Sequence, residues 1–569
     1  MAEQHAAEPR TSVASRGSAD QVVGGFVTKL AQRDRSTRPV SPSGLMRLAL
    51  VILVALAPLQ LLPARAFVAL MAGQSARPLG GTFNNVPVLH SNQPEEVEGP
   101  GILINTAPGM AYASEADGGQ ALNNAEFTFN GEFGVHLHHK YFPPYRNSIR
   151  ASQRRTELTV GLILINPGYQ PVSLRFESGA VRNSFEAPYL GNAKVGVRPL
   201  GPRPWNTGPG DATAVQMLRG QLDRRLQDEV VIPPRGRLVL FSTEIPALGI
   251  ANALLKGRSS GPFQMATVAA LNPLSEADLL AVLDGGRLAP GRVYLNRIGE
   301  INARRIFSRV GGVALGDSYT ASISHDLSSQ GPLHVPLTST NRHHFGTRDV
   351  QVNPLASRML DSSLDNVGTY GVRFDVDLDL RGYGPYELVL SHPAPMGGKP
   401  FVAFRGSLQV RTLDGLQEMH VGLQSGQSLP LTSLNLRPGQ PNPVRISLVY
   451  PADATPGHLL SVVPESQLAR LRDQERQVEL ARVTAGNQPT APSQLPPPAE
   501  LAPLASQPNP PVVLAPGLVD DLPAIPRPPL GLQLAPPLMA PPRADQTLVE
   551  RYQQALEAQQ QRMRGLMQY

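Results

Sequence analysis

Three groups of residues have the types and spacing to do chemistry. His136, His138 and His139 follow a segment in which Phe127, Phe129, Phe133, Val135 and Leu137 share one parity. Alternate residues of a strand share a face, so His136 and His138 should emerge together opposite that apolar row, at a spacing that can chelate zinc or another borderline metal. Two ligands do not make a site. A third would have to come from His343, His344 or a carboxylate, and a solvent-facing histidine pair is the alternative. Ser318 follows Gly316 and Asp317 at the end of the apolar Val313, Ala314 and Leu315, a setting for a hydroxyl nucleophile. Such a serine needs an oriented base, but no downstream Asp-x-x-His occurs and Asp453 and His458 are wrongly spaced. Tyr319, Ala321 and Ile323 instead continue a strand through it. Asp375, Asp377 and Asp379 line one strand face, yet Leu380 and Tyr386 stand where a calcium loop requires Gly and Glu. A carboxylate ladder on an exposed strand would instead resist edge-to-edge association.

Sugar recognition needs exposed aromatic rings. One Trp and 5% aromatic residues are a thin supply, although Tyr141, Phe142 and Tyr145 beside Arg146, or Trp205 in its Gly/Pro-rich loop, offer one small platform. Nucleic-acid binding is disfavoured by charge. Of the 51 Lys/Arg and 45 Asp/Glu, eight and four fall in the first 66 residues, leaving 43 against 41 and no dense basic surface by count. Cysteine is absent, which removes disulfides, thiolate catalysis and Cys-based zinc sites. No cofactor is implied.

The elements that must position these residues read as strands. Leu158, Val160, Leu162 and Leu164 alternate with Gly161, Ile163 and Ile165, so both faces are apolar and the segment reads as a buried central strand. Asn166, Pro167 and Gly168 make a turn. Val172, Leu174 and Phe176 then form a half-exposed strand, giving a β-meander unit. Tyr370 to Leu390 repeats this design, and Val230 to Phe241 resembles Leu434 to Val449. The fold class is therefore all-β, with two tandem antiparallel β-sandwich domains at 78–290 and 291–463. Short helices intrude after Asp211, read as an N-cap with Gly220 beyond the end, and at Ser275 with Asp278, closed by Gly285 and Gly286.

Outside the sandwiches the composition changes. Residues 1–45 read as a disordered extension upstream of a start at Met46, and 46–66 as a signal peptide, with Leu48 to Leu62 apolar and Ala64 and Ala66 at cleavage-compatible positions. An uncleaved membrane anchor through residues 48–72 is the alternative. Residues 464–485 read as a charged helix and 486–543 as a Pro-rich disordered linker that favours extended polyproline II. Residues 544–569 form a candidate docking helix with Leu548, Tyr552 and Leu556 on one stripe.

Several short blocks occur in order along the chain. Val86 to Leu89 with Ser91, Asn92 and Pro94 is followed by Phe129 to Gly131 running into His138 and His139, by Asn166 to Gly168 and by Gly208 to Asp211. Arg258 to Pro262, Arg309 to Val313, Tyr370 to Val372 and Tyr450 to Pro456 complete the series. Together they resemble a family of exported cyanobacterial proteins catalogued only as a domain of unknown function, over roughly residues 78–456. The resemblance implies a β-rich envelope protein and carries over no catalytic residue. The expected role is a non-enzymatic structural or interaction protein of the periplasm or cell envelope, meeting a protein or polysaccharide partner, with the C-terminal helix as one point of contact. A carbohydrate-binding protein is the first alternative, and a metal-dependent hydrolase through His136 and His138, or a serine hydrolase, the second.

Overall fold

The computed structural model describes residues 76–144, 156–189, 196–201, 207–305, 309–393, 400–452 and 454–486. The extension 1–45, the signal-type run 46–66, the linker beyond Gly486 and the terminal helix 544–569 lie outside the described residues, as do Tyr145, Arg146 and Trp205.

The described chain is all-β with a few helices, and its apolar alternation builds two cores. In the first, a four-stranded sheet runs in the order Arg237–Pro246, Thr156–Ile165, Gln264–Leu271, Gly101–Asn105. It faces a nine-stranded sheet centred on Val172–Asn183, Ile250–Ser259, Glu132–Tyr141 and Pro87–Ser91. Thr156–Ile165 is apolar on both faces because both are covered. One face meets the opposing sheet, and on the other Leu279 of the helix Glu276–Asp284 lies over Gly161, 3.0 Å from where a Cβ would stand. That helix carries the expected capping box of Ser275 and Asp278. The second core lies between a seven-stranded sheet and the four-stranded sheet Leu333–Leu337, His458–Pro464, Gly384–Ser391, Ser428–Leu436.

The repeated strand–turn–strand units are arches rather than meanders. Thr156–Ile165 and Val172–Asn183 sit in opposing sheets, as do Arg373–Arg381 and Gly384–Ser391. Alternation identifies a strand but not its partner. At the first arch the buried Asn166 explains the crossing: its Nδ2 donates to the carbonyls of Gln170, Ile232 and Pro233, and its Oδ1 accepts from Gly168 N at 2.9 Å. The sheets are also mixed rather than purely antiparallel. Pro87–Ser91 runs parallel to Glu132–Tyr141, and Ser318–Asp326 parallel to Arg373–Arg381, because long crossovers and not tight turns join these partners.

The sheets also cross the boundary expected near residue 290. Gly311–Leu315 pairs with Pro87–Ser91 and carries Asn353–Arg358 beside it, so two strands of the second half extend the first sandwich. In return, Thr82–Phe83 pairs with Ser318–Asp326 and Gly196–Pro199 with Gly415–Gln424, at opposite edges of the seven-stranded sheet. The cores follow the strands. Val313 and Met359 belong to the first core, and Leu79 to the second.

The helix Pro209–Leu218 packs between the two sandwiches, and its N-cap is Gly208 rather than Asp211, which lies within its first turn. The charged helix Glu465–Gly486 meets the body near its start, where Leu468 is buried against Val389 and Val463. Among the described residues no helix is long and apolar enough to cross a membrane.

A fragment ending at residue 305 would lack Gly311–Leu315 and Asn353–Arg358 and leave the edge of Pro87–Ser91 open. Such a fragment, residues 76–305, should be insoluble or lack near-UV circular dichroism; a folded monomer by size exclusion would contradict the exchange of strands as a requirement for folding.

Candidate functional site

His136 and His138 are buried, not solvent-facing. Strand parity places them on the outer face of their sheet as expected, but the second sandwich covers that face. Tyr370 stacks on His136 with ring centroids 6.3 Å apart. Gly371, at φ +77°, passes so close that a Cβ there would stand 3.1 Å from Leu254 and 3.3 Å from His136, so only glycine suits both the backbone and the space. His90 lies directly across the parallel pair from His136, Nδ1 to Nδ1 at 3.1 Å. One ring must donate and the other accept, so a single proton is shared and each Nε2 is left buried without a partner.

His138 Nδ1 reaches Asn252 Oδ1 at 3.0 Å, and Asn252 Nδ2 donates to Thr213 Oγ1 of the intervening helix at 2.5 Å. Two residues earlier the same helix presents Asp211, whose Oδ2 accepts from Ser407 Oγ at 3.0 Å and His420 Nδ1 at 3.1 Å in the second sandwich. A polar line thus runs from one sheet through the helix to the other. His139 points to the opposite face, where its Nδ1 donates to Pro94 O at 2.7 Å and its Nε2 meets Ser91 Oγ at 2.8 Å.

The proposed third ligands are elsewhere. His343 lies 6.5 Å from the ring of His392, which lies 5.2 Å from that of His458, in the second sandwich. Among the described residues no group of three His, Asp or Glu side chains is arranged to hold a metal ion.

Two buried ionic clusters flank the histidines. Arg292 and Asp361 are both wholly buried, Arg292 Nη1 donating to the two carboxylate oxygens at 3.0 and 3.1 Å, with Gln93 Nε2 donating to Asp361 at 2.9 Å. Glu95 holds Lys140 at 2.5 Å and also Arg309. Burial alone would raise the Glu95 carboxyl; Arg309 and Lys140 outweigh it and hold the group far below the usual carboxylate range. Burial lowers the imidazoles. His90 and His139 fall to about 3, His334 and His392 to about 4, and His136 and His458 well below their ordinary value.

The other candidates are built into strands. Ser318 begins the strand Ser318–Asp326 and its carbonyl accepts from Asn84 N at 3.1 Å, while Asp317 binds Asn84 and Lys256. The aspartate ladder lies on an interior strand between Ser318–Asp326 and Asn442–Val449, not at an exposed edge. Arg373 and Ser447 hold Asp375, Arg445 holds Asp377 at 2.8 Å, and Ser324 donates to Asp379 at 3.3 Å. Tyr141 is buried and offers no sugar platform.

The residues of this buried polar cluster that local pattern missed are His90, Arg292 and Asp361, and Asp211 reads only as a helix cap. Periodicity reports which face a residue takes, but not what another part of the chain lays over it. The one available signal was the run His90 to Glu95, polar but for Pro94 and directly after the apolar Val88 and Leu89.

The chain belongs to the family described as Protein of unknown function (DUF3370), whose model matches residues 74–464 and so spans both sandwiches. No curated protein matches it. Among solved structures, a Paenibacillus xanthan lyase shares 11% identity over 65% of this chain and 26% of that one, with a TM-score of 0.11. This chain spans about a quarter of that protein's length, and so slight a likeness carries no argument.

The lowered imidazoles fix the sign of the pH dependence. Below about 6.5 the unfolded chain takes up protons that buried His90, His139, His334 and His392 refuse until about 3 to 4, so the unfolded state binds more protons and stability falls as pH falls. Each group contributes a slope of about 1.4 kcal/mol per pH unit. Urea midpoints should be level from pH 7.5 to 8.5 and drop steeply from 6.5 to 4.5; a midpoint unchanged down to pH 5 would contradict the burial of neutral rings. At neutral pH, Asp361→Asn leaves Arg292 charged and buried without its carboxylate and should cost about 3–5 kcal/mol in urea unfolding.

Proposed function

We propose that the protein is an exported, non-enzymatic structural or interaction protein of the cell envelope, a rigid β body carried on a Pro-rich tether. The observation that carries this reading is the use to which the chemically capable side chains are put. His136, His138, Asp211, Asp375 and Asp377 all face neighbouring strands or the helix between the sandwiches, and their bonds fix the shape of the body. Export is supported by the apolar run Leu48 to Leu62 followed by Ala64 and Ala66, and by the likeness of the ordered sequence blocks to exported cyanobacterial proteins. Proline at 18 of the 54 positions from Pro489 to Pro542 supports a tether, since such a segment has too few β-branched and aromatic residues to offset its ordering entropy.

Carbohydrate recognition is the second reading, favoured by one feature. Tyr169 is 82% exposed at the first arch with the Arg235 guanidinium 5.5 Å from its ring centre, a flat amphipathic surface on which a sugar ring could stack.

Cell fractionation with N-terminal sequencing tests the export claim. The mature chain should be found in the envelope fraction and begin near Phe67, whereas a cytosolic chain retaining Leu48 to Leu62 would overturn it. Pull-down on isolated cell-wall and outer-membrane polysaccharide separates the two readings: retention that Tyr169→Ala reduces at least tenfold would replace the scaffold reading with the sugar-binding one.

A further inference from the structure

We propose that the seam between the two sandwiches is an acid-released latch, in which protonation of the His90–His136 pair frees the Asn366–Gly371 turn from the first sandwich while both cores stay folded. The inference rests on the geometry of the seam and not on the proposed envelope role.

Each neutral ring carries one proton, the donor's in the Nδ1–Nδ1 bond and the acceptor's on its buried Nε2. A first added proton must go to the donor ring's Nε2, and a second, with the Nδ1 atoms 3.1 Å apart, sets N–H against N–H and turns an attraction into a repulsion. Both Nε2 atoms are buried without partners, so an imidazolium would also have a bare N–H in a dry place, a costly state.

No counter-ion stands ready among the groups on the surrounding elements. On the histidine's own strand are Glu132, His138, His139 and Lys140, and on the next strand Lys256 and Arg258; Glu132 is paired with Arg258 and Lys256 with Asp317. Glu95, from the segment after His90, already holds Lys140 and Arg309. Asp361 holds Arg292, and Asp365 at the start of the turn holds Arg304. Asp211 of the helix is turned to Ser407 and His420. Gly311–Leu315, on the far side of His90, brings no ionisable group, and the second sandwich contributes Tyr370 and Tyr450, which are neutral rings at these pH values.

The cheapest relief is movement of the covering turn. Tyr370 lies on His136 from outside the sheet, whereas the strand Glu132–Tyr141 remains paired on both sides with Ile250–Ser259 and Pro87–Ser91. The turn is fastened to the second sandwich by Gly371 N to Tyr450 O at 2.9 Å and Tyr370 Oη to Ala454 O at 3.2 Å, and to the first by the Asn353–Asn366 pairing together with the Arg304–Asp365 ion pair. Breaking the latter admits water to the imidazoles without breaking a core strand.

Hydrogen exchange of the full chain at pH 7.5 and 5.5, corrected for intrinsic rates, tests this. An opening that lets an imidazole titrate at its ordinary value near 6.5 grows about tenfold per histidine over that interval, about 100-fold for the pair. Amides of 365–370 should therefore exchange about 100-fold faster at pH 5.5, while those of Leu158 to Leu164 and Phe374 to Leu380 stay more protected than the turn at both pH values. In folded His136→Gln the rise should shrink to tenfold or less. The proposal is overturned if the turn exchanges alike at both pH values, if turn and cores lose protection together, or if the full rise persists in His136→Gln. Should that variant not fold, the contrast between turn and cores in the wild-type chain decides.

Discussion

An open sheet edge is a row of N–H and C=O groups that must find partners, and in this molecule each sandwich finds some of them in the other half of the chain. Gly311–Leu315 and Asn353–Arg358 extend the first sandwich; Thr82–Phe83 and Gly196–Pro199 flank the second. The rest of the architecture follows from this constraint. Strands that cross between sandwiches bring their flanking polar residues into the seam, and those residues must be satisfied there or lose their solvation. Arg292 meeting Asp361, Glu95 meeting Lys140 and Arg309, and the line from His138 through Asn252 and Thr213 are the result. Buried ionic and polar contacts of this kind add little net stability compared with apolar packing but are costly to break singly. Their effect is to fix one register of one sandwich against the other.

The same arrangement explains why residues whose types suggest catalysis are buried or engaged by neighbouring strands. A histidine on the polar side of a strand meets solvent if its sheet has one covered face. Here the second sandwich and the helix Pro209–Leu218 cover part of the outer face, and the imidazole becomes a neutral buried hydrogen-bonding group. Aspartates 375 and 377 behave comparably, since the cross-strand neighbours on their own polar face include Ser447 and Arg445.

Local features of the fold were legible in the sequence because each is decided within a few residues. Thr156–Ile165 could be read as a central strand from its doubly apolar pattern, and Ser275 with Asp278 and Gly286 marked both ends of a helix. Long-range features were not. Nothing near Asn166 tells whether the next strand returns beside the last or crosses to the opposing sheet; that depends on carbonyls at Ile232 and Pro233, more than sixty residues away. Asp211 was legible as a helix-start residue but not as the acceptor of Ser407 and His420. His136 was assigned its correct face, yet its burial depends on Tyr370 and Gly371, which no pattern around residue 136 contains.

The central claim is that strand exchange makes residues 76–464 one folding unit rather than two tandem domains. Differential scanning calorimetry of that segment at pH 7.5 tests it most directly. The account predicts a single transition in which the calorimetric and van't Hoff enthalpies agree. Two resolved transitions, or a calorimetric enthalpy about twice the van't Hoff value, would show that the sandwiches melt independently and contradict it.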